Sequence, residues 1–408
     1  CFDVASLPVD SPQFLTSLIQ RKDKEFFDNT FEPHRARAAE DFTYELLSNI
    51  LQPIQSYQNL EYPNPDRAGQ NTELDALYIL GDALVLCEVK AGAISPSARR
   101  GSLDRIRRDF RDVLGKAFEQ GNRTLKYLES TEIAHFKSLR DGRALDLSLN
   151  DFEYVYIVCV TLEPIFTIGS QLPKLKELGI LRGEGWPWCV SIYDLQAISE
   201  LAESPCQFLH FLRQRNSLNR PQFEVSDELD FFGLYLSEGL YFPEKATEDY
   251  TRLGFLGYCD GINDYFNWQA GILGKEPPKP AQQNPPRFRL LLEAVQRSRP
   301  KHFIAASFAL LDCDGVTREE IARRIEGLEK QVRRDKSRHS ITMTFNEQSR
   351  ALSLFCAPDI NPEDDFSGIA QRHFREYKLD QEVIIGWQGN LETTNRIAVW
   401  VHNRGDET

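Results

Sequence analysis

The 408-residue chain lacks long apolar runs, paired cysteines and any excess of positive charge, and each absence narrows its class. No stretch approaches the roughly 20 apolar residues of a membrane helix, and the acidic start (Asp3, Asp10) does not resemble a signal peptide. The expectation is a cytoplasmic protein with no membrane partner. Eight cysteines (1, 87, 159, 189, 206, 259, 313, 356) are scattered singly without a CxxC, which excludes a zinc ribbon and a disulfide framework. Several sit in apolar runs such as Val85-Leu86-Cys87 and Ile157-Val158-Cys159-Val160 and read as reduced, buried thiols. A net charge of −13 argues against a generic nucleic-acid coat. The seven histidines show no HExxH spacing, and no P-loop, GxSxG or GxGxxG occurs. Cys206 and His210 stand four apart on an expected helix without a second ligand pair, so core packing explains them better than metal. The chain opens at Cys1 rather than Met, which predicts a fragment or a processed chain.

What is present is a soluble-type composition, 41% hydrophobic and 27% charged, at a length suited to two or three domains. Helices are expected over 12–29 and, opened by Pro33, over about 36–51, with a loop from 54 to 70. A hairpin over 72–90 precedes a long amphipathic helix from about Ser102 to Leu128, with Leu103, Ile106, Phe110, Val113, Leu114 and Ala117 on its apolar stripe. Phe152–Leu162 reads as a strand buried on both faces. Residues 188–192 read as another, and Asp194 as the N-cap of a helix reaching about Arg215 with a break at Pro205. Residues 227–273 look mainly helical, and the proline-rich 276–286 reads as a linker or exposed loop. Beyond it come helices near 287–297 and 317–333. Strands are expected at Phe303–Leu310, Ile341–Phe345, Ala351–Phe355, Val383–Trp387 and Ile397–Val401. The fold class is therefore α/β, a mixed sheet flanked by helices with a second α/β (α+β) unit after it.

The hairpin carries the chemistry. Gly81-Asp82 between two apolar runs is a tight-turn signal, and pairing Leu80 with Ala83 carries Asp75 opposite Glu88. Lys90, two residues on, shares the face of Glu88. Two carboxylates set opposite each other cost a few tenths to about 1 kcal/mol in an ordinary sheet. A divalent cation between them reverses that sign.

Two further polar residues fall on inward helix faces. With Glu40 placed at 0° and about 100° per residue, Ala36, Ala39, Thr43, Leu46, Leu47 and Ile50 fall between about −120° and +40°, whereas Glu45 lies near 140° and points to solvent. A carboxylate on the apolar face needs a partner, either a metal or one of the nearby Arg35 and Arg37. Gln120 follows Val113 and Ala117 on the stripe of the long helix; its plain alternative is a helix-edge residue. From Arg99 to Lys126 nine basic and four acidic residues leave five excess positive charges, a phosphate-binding face or a solvated helix laced with i,i+4 pairs.

Helix with Glu40, strand with Asp75, antiparallel strand with Glu88-Val89-Lys90, then a helix with Gln120 resembles the core of the PD-(D/E)xK, restriction-endonuclease-like nucleases over roughly residues 34–215. The proline that often precedes the aspartate is missing, since this chain reads Glu73-Leu74-Asp75. The resemblance implies a restriction-endonuclease-like mixed sheet. It also implies a division into a nuclease-like domain (1–220), a mainly helical connector (221–286) and an accessory domain (287–408). It implies Mg²⁺ or Mn²⁺ held by Asp75, Glu88, Glu40 and the Val89 carbonyl. Lys90 would position or deprotonate the attacking water, with Gln120, Arg99, Arg100, Arg107, Arg108, Lys116 and Arg123 on the phosphate backbone. The activity implied is hydrolysis of phosphodiester bonds in DNA, with RNA as an alternative substrate. An accessory domain on this core suggests by analogy a bacterial defence effector, with a homo-oligomer or a partner protein of that system. The competing expectation is an inactive nuclease-fold scaffold or nucleic-acid-binding module.

Overall fold

The computed structural model describes residues 7–225, 227–242, 252–345, 349–361 and 366–404, and Cys1 lies outside them. The chain is mixed α/β, a seven-stranded mixed sheet flanked by helices and a separate four-stranded sheet near the C-terminus. After a helix Leu7–Lys22 and two short helical turns, Pro33 opens the helix Glu32–Leu51, which ends on Gln52 in the left-handed region. Then come β1 (Gln55–Pro63), β2 (Asn71–Leu80) and β3 (Ala83–Lys90). The 54–70 stretch expected as loop thus holds a strand. Its core residues Tyr57, Leu60 and Tyr62 break the two-residue period, and that break hid it.

Gly81 turns the hairpin at φ +56, and the β2–β3 ladder runs from Leu80↔Ala83 to Ala76↔Cys87, the expected register. The long helix is Leu103–Phe110, a π-turn Arg111–Gly115 and Lys116–Glu129. Leu103, assigned to its apolar stripe, is 70% exposed, because the stripe begins only at Ile106 and Phe110. Two unforeseen strands follow, β4 (Ala134–Ser138) and β5 (Ala144–Leu147); both alternate buried and exposed residues, but over only five and four residues. The expected strand is β6 (Tyr154–Thr161), which runs parallel to β3; β7 is Trp188–Ser191. The sheet order is β5-β4-β1-β2-β3-β6-β7, so β3 is interior and buried on both faces up to Lys90.

Ser191, not Asp194, caps the helix Ile192–Leu201, its hydroxyl accepting from the Asp194 amide while it donates to the Asp194 carboxylate at 2.8 Å. A second helix, Pro205–Ser217, follows the break at Pro205. Among the described residues of 227–273 lie the helices Glu228–Glu238 and Asp260–Gln269, and β9 (Leu253–Phe255) pairs with β8 (Phe223–Val225). The proline-rich segment is no free linker: Gln282 is buried and donates to the Tyr235 carbonyl at 3.2 Å. Phe303–Leu310, expected as a strand, lies in the helix Phe303–Leu311. An unbroken apolar run fits a helix buried all round as well as a buried strand, and here Phe303, Ile304, Ala306, Phe308, Leu310 and Leu311 are all core.

The second sheet has the order β10 (His339–Phe345), β11 (Arg350–Ala357), β12 (Gln381–Gln388) and β13 (Ile397–Asn403), with β11 and β12 parallel across the helix Ser367–Tyr377. One apolar cluster runs from the Glu32–Leu51 face of the first sheet through Phe303–Leu311 to β11 and β12. Among the described residues six of the seven cysteines are buried and all are free, Cys259 being half-buried. No described helix is long and apolar enough to cross a membrane.

Candidate functional site

Side chains should alternate faces along β1 and β2, yet both strands break the rule at one level. Tyr57 and Leu60, three residues apart, pack into the same cluster, and so do Leu77 and Leu74. The breaks fall at Asn59, which sits at φ +49, and at Asp75 in the facing register position. Beyond Ala76↔Cys87 the β2–β3 ladder stops, and the Asp75 carboxylate takes over as acceptor for the Val89 amide at 2.7 Å. A polar site thus opens inside an otherwise apolar sheet.

Lys90 Nζ lies 3.3 Å from Glu88 Oε2, 3.7 Å from Asp75 Oδ2 and 3.1 Å from the Val89 carbonyl oxygen. Glu88 is fully buried, and its Oε1 has no hydrogen-bond partner among the described residues. On its other side the parallel ladder sets it beside Cys159, a thiol rather than a base. Burial first and the Asp75 charge second hold the Glu88 carboxyl well above the usual carboxylate range. The Lys90 ammonium is raised despite its burial, because the charges of Glu88 and Asp75 outweigh the desolvation.

Glu40 is half-buried on the inward face and accepts from Asn59 Nδ2 at 3.4 Å, while Glu45 is exposed as expected. Burial and then the Asp75 charge raise its carboxyl. The arginine alternative for Glu40 is not what the structure holds. Arg35 binds Glu32 and Glu163, each at 3.2 Å, and Arg37 is exposed with no ion pair among the described residues. The three carboxylates do not close into one ligand shell. Among the described residues, the groups of three ligand atoms within 4.8 Å of one another are Asp82–Glu153–His302 and Asp227–Asp230–Cys259.

Gln120 is half-buried and its side chain makes no hydrogen bond within the described residues. Its helix reaches the sheet at Gly121, where a Cβ would lie 2.5 Å from an Ile157 methyl. That approach brings Thr124 Oγ1 to 2.8 Å from the Tyr62 hydroxyl. Burial pushes the Tyr62 phenol up to about 12 and the Glu88 charge adds to it, so this pair stands within the field of the site.

The basic residues divide. Arg99 is paired with Glu163 at 2.6 Å, Lys116 with Asp112 at 2.7 Å and Arg123 with Asp66 at 3.6 Å. Arg100, Arg107 and Arg108 are exposed and have no ion pair among the described residues, as is true of Arg105 and Arg111 of the same basic run. Asn59 and Glu163 are site residues that the sequence does not reveal. Asn59 lies in a stretch that reads as loop, and Glu163 gives no signal until Arg35 and Arg99 meet on it. Comparison with family models, curated proteins and solved structures returns no match.

Proposed function

We propose that the chain is a metal-dependent nuclease of the restriction-endonuclease-like type, acting on DNA, with Asp75, Glu88 and Lys90 at its centre. The observation that carries the reading is Glu88: a fully buried carboxylate with one oxygen unpartnered, beside a second acid and under a lysine. A lone buried carboxylate is costly, and an acidic pair with a free oxygen suits a hard divalent cation such as Mg²⁺ or Mn²⁺. Asp75, Glu88 and the Val89 carbonyl are the groups that would hold it, with Glu40 as an outer acid. When bound, such a cation lowers the pKa of water and offsets charge on a phosphate. Lys90, at 3.3 Å from Glu88 and 3.7 Å from Asp75, would orient the attacking water. Arg100, Arg105, Arg107, Arg108 and Arg111 offer contacts to the strand backbone that fix position without reading sequence.

One observation favours the second reading, a nuclease-fold scaffold without catalysis. Lys90 occupies the Val89 carbonyl and Glu88, and the three acids do not converge. An assay with Mg²⁺ or Mn²⁺ on supercoiled, linear and single-stranded DNA and on RNA separates the two. Cleavage that disappears in Glu88→Ala and Lys90→Ala is expected; cleavage by those variants at the wild-type rate sinks the proposal. Phosphate contacts do not read the sugar, so the RNA arm decides the substrate class.

A further inference from the structure

We propose that Asp82, Glu153 and His302 form a Zn²⁺ site at the far end of the same hairpin, joining the first sheet to the helix Phe303–Leu311. Asp82 is in the β2–β3 turn, Glu153 directly precedes β6, and His302 directly precedes that helix. One ligand atom from each lies within 4.8 Å of the other two. Four ligands about 2.0–2.1 Å from Zn²⁺ stand about 3.3 Å apart, so binding would draw the three groups closer by up to about 1.5 Å.

The seating is fixed by the backbone. The Glu153 and Tyr154 amides both donate to the Asp82 carbonyl, at 2.9 and 3.1 Å. Gly81 lies so close to Phe303 that a Cβ there would come within 2.7 Å of its ring. A second observation points to a ligand: Asp82 Oδ1 is sealed from solvent and has no hydrogen-bond donor among the described residues. Asp230, by contrast, accepts from the Cys259 amide at 3.0 Å. Glu153 is exposed, which gives an ion a way in from solvent. Two carboxylates and an imidazole leave a fourth position for water. The nitrogen donor favours Zn²⁺ over Mg²⁺, which prefers oxygen alone. The site is independent of the nuclease reading. It would pin the turn of the hairpin, whose other end carries Asp75 and Glu88, to the helix bridging the two sheets.

The test uses the full chain stripped by chelator and titrated with Zn²⁺ by calorimetry, with Co²⁺ as a spectroscopic substitute. One equivalent of Zn²⁺ should bind, Co²⁺ should give visible d–d absorption, and the thermal midpoint should rise with Zn²⁺. Asp82→Asn and His302→Gln, checked as folded by circular dichroism, should each weaken binding by roughly 100-fold or more, beyond what loss of an outer partner costs. Glu88→Gln should leave it unchanged. The proposal is overturned by wild-type protein that takes up no equivalent of Zn²⁺, by affinity retained in both variants, or by affinity lost in Glu88→Gln.

Discussion

The Val89 amide donates to the Asp75 carboxylate at 2.7 Å where the β2–β3 ladder ends, so Asp75 holds the main chain in addition to the metal-binding role proposed for it. The two duties separate by substitution. Asp75→Asn keeps an oxygen acceptor and should lose cleavage with little loss of stability. Asp75→Ala leaves a backbone amide without its partner and should cost about 1.5–3 kcal/mol, the range for a hydrogen bond to a charged group. Urea unfolding of both variants checks this; equal stabilities would show that the amide finds another acceptor.

Lys90 is the cation now balancing two acids, at 3.3 and 3.7 Å, with its side chain 21% exposed. Removing it in Lys90→Met leaves Glu88 and Asp75 facing each other and should destabilise the fold by about 2 kcal/mol, less than for a fully buried pair. Mn²⁺ should restore part of that loss and raise the melting midpoint of Lys90→Met more than that of wild type. Glu88→Gln removes the repulsion while Lys90 keeps Asp75, so it should melt at or above the wild-type temperature. Calorimetric melts of the three proteins with and without Mn²⁺ decide it, and an Mn²⁺ shift identical in all three would mean the ion binds elsewhere.

The exposed arginines Arg105, Arg107, Arg108 and Arg111 carry no ion pair among the described residues, whereas Arg99 is tied to Glu163. Changing the first four to Gln should alter stability by less than about 0.5 kcal/mol, as for surface sites without special interactions. DNA affinity should fall uniformly across sequences, and the slope of log K against log salt should drop by about 0.9 for each phosphate no longer neutralised. Fluorescence anisotropy on a duplex, in a Glu88→Gln background that does not cut, measures both. An unchanged slope would move the nucleic acid to another face.

The hairpin was legible because its turn chemistry and period fix the register without help, from Leu80↔Ala83 to Ala76↔Cys87. Glu40 was legible because helical geometry alone sets a residue against its own apolar stripe. Asn59 was not, since its positive φ breaks the alternation that marks a strand. The helix Phe303–Leu311 was not, because burial on every side erases the period that tells helix from strand. The salt links of Arg99 and Arg123 join residues 64 and 57 positions apart, and no local pattern encodes such a meeting. The free arginines could therefore be told from the paired ones only in three dimensions.

His210 offers a pH test away from the candidate site. It is fully buried between the Tyr235 hydroxyl, 2.9 Å from Nδ1, and Asp312 Oδ1, 3.0 Å from Nε2. Burial lowers its pKa to about 4, the Asp312 hydrogen bond only partly resisting, with the Arg213 charge acting with burial. The folded chain therefore keeps the imidazole neutral at pH values where the unfolded chain takes up a proton. The contribution is complete above the ordinary histidine pKa near 6.5 and is lost as pH falls to about 4. At about 1.4 kcal/mol per pH unit it amounts to roughly 3 kcal/mol across that window. His210→Gln cannot titrate, so its stability should fall less steeply than that of wild type between pH 6.5 and 4. Parallel urea-unfolding curves at half-unit steps make the comparison, and identical slopes would show that other groups carry the acid sensitivity.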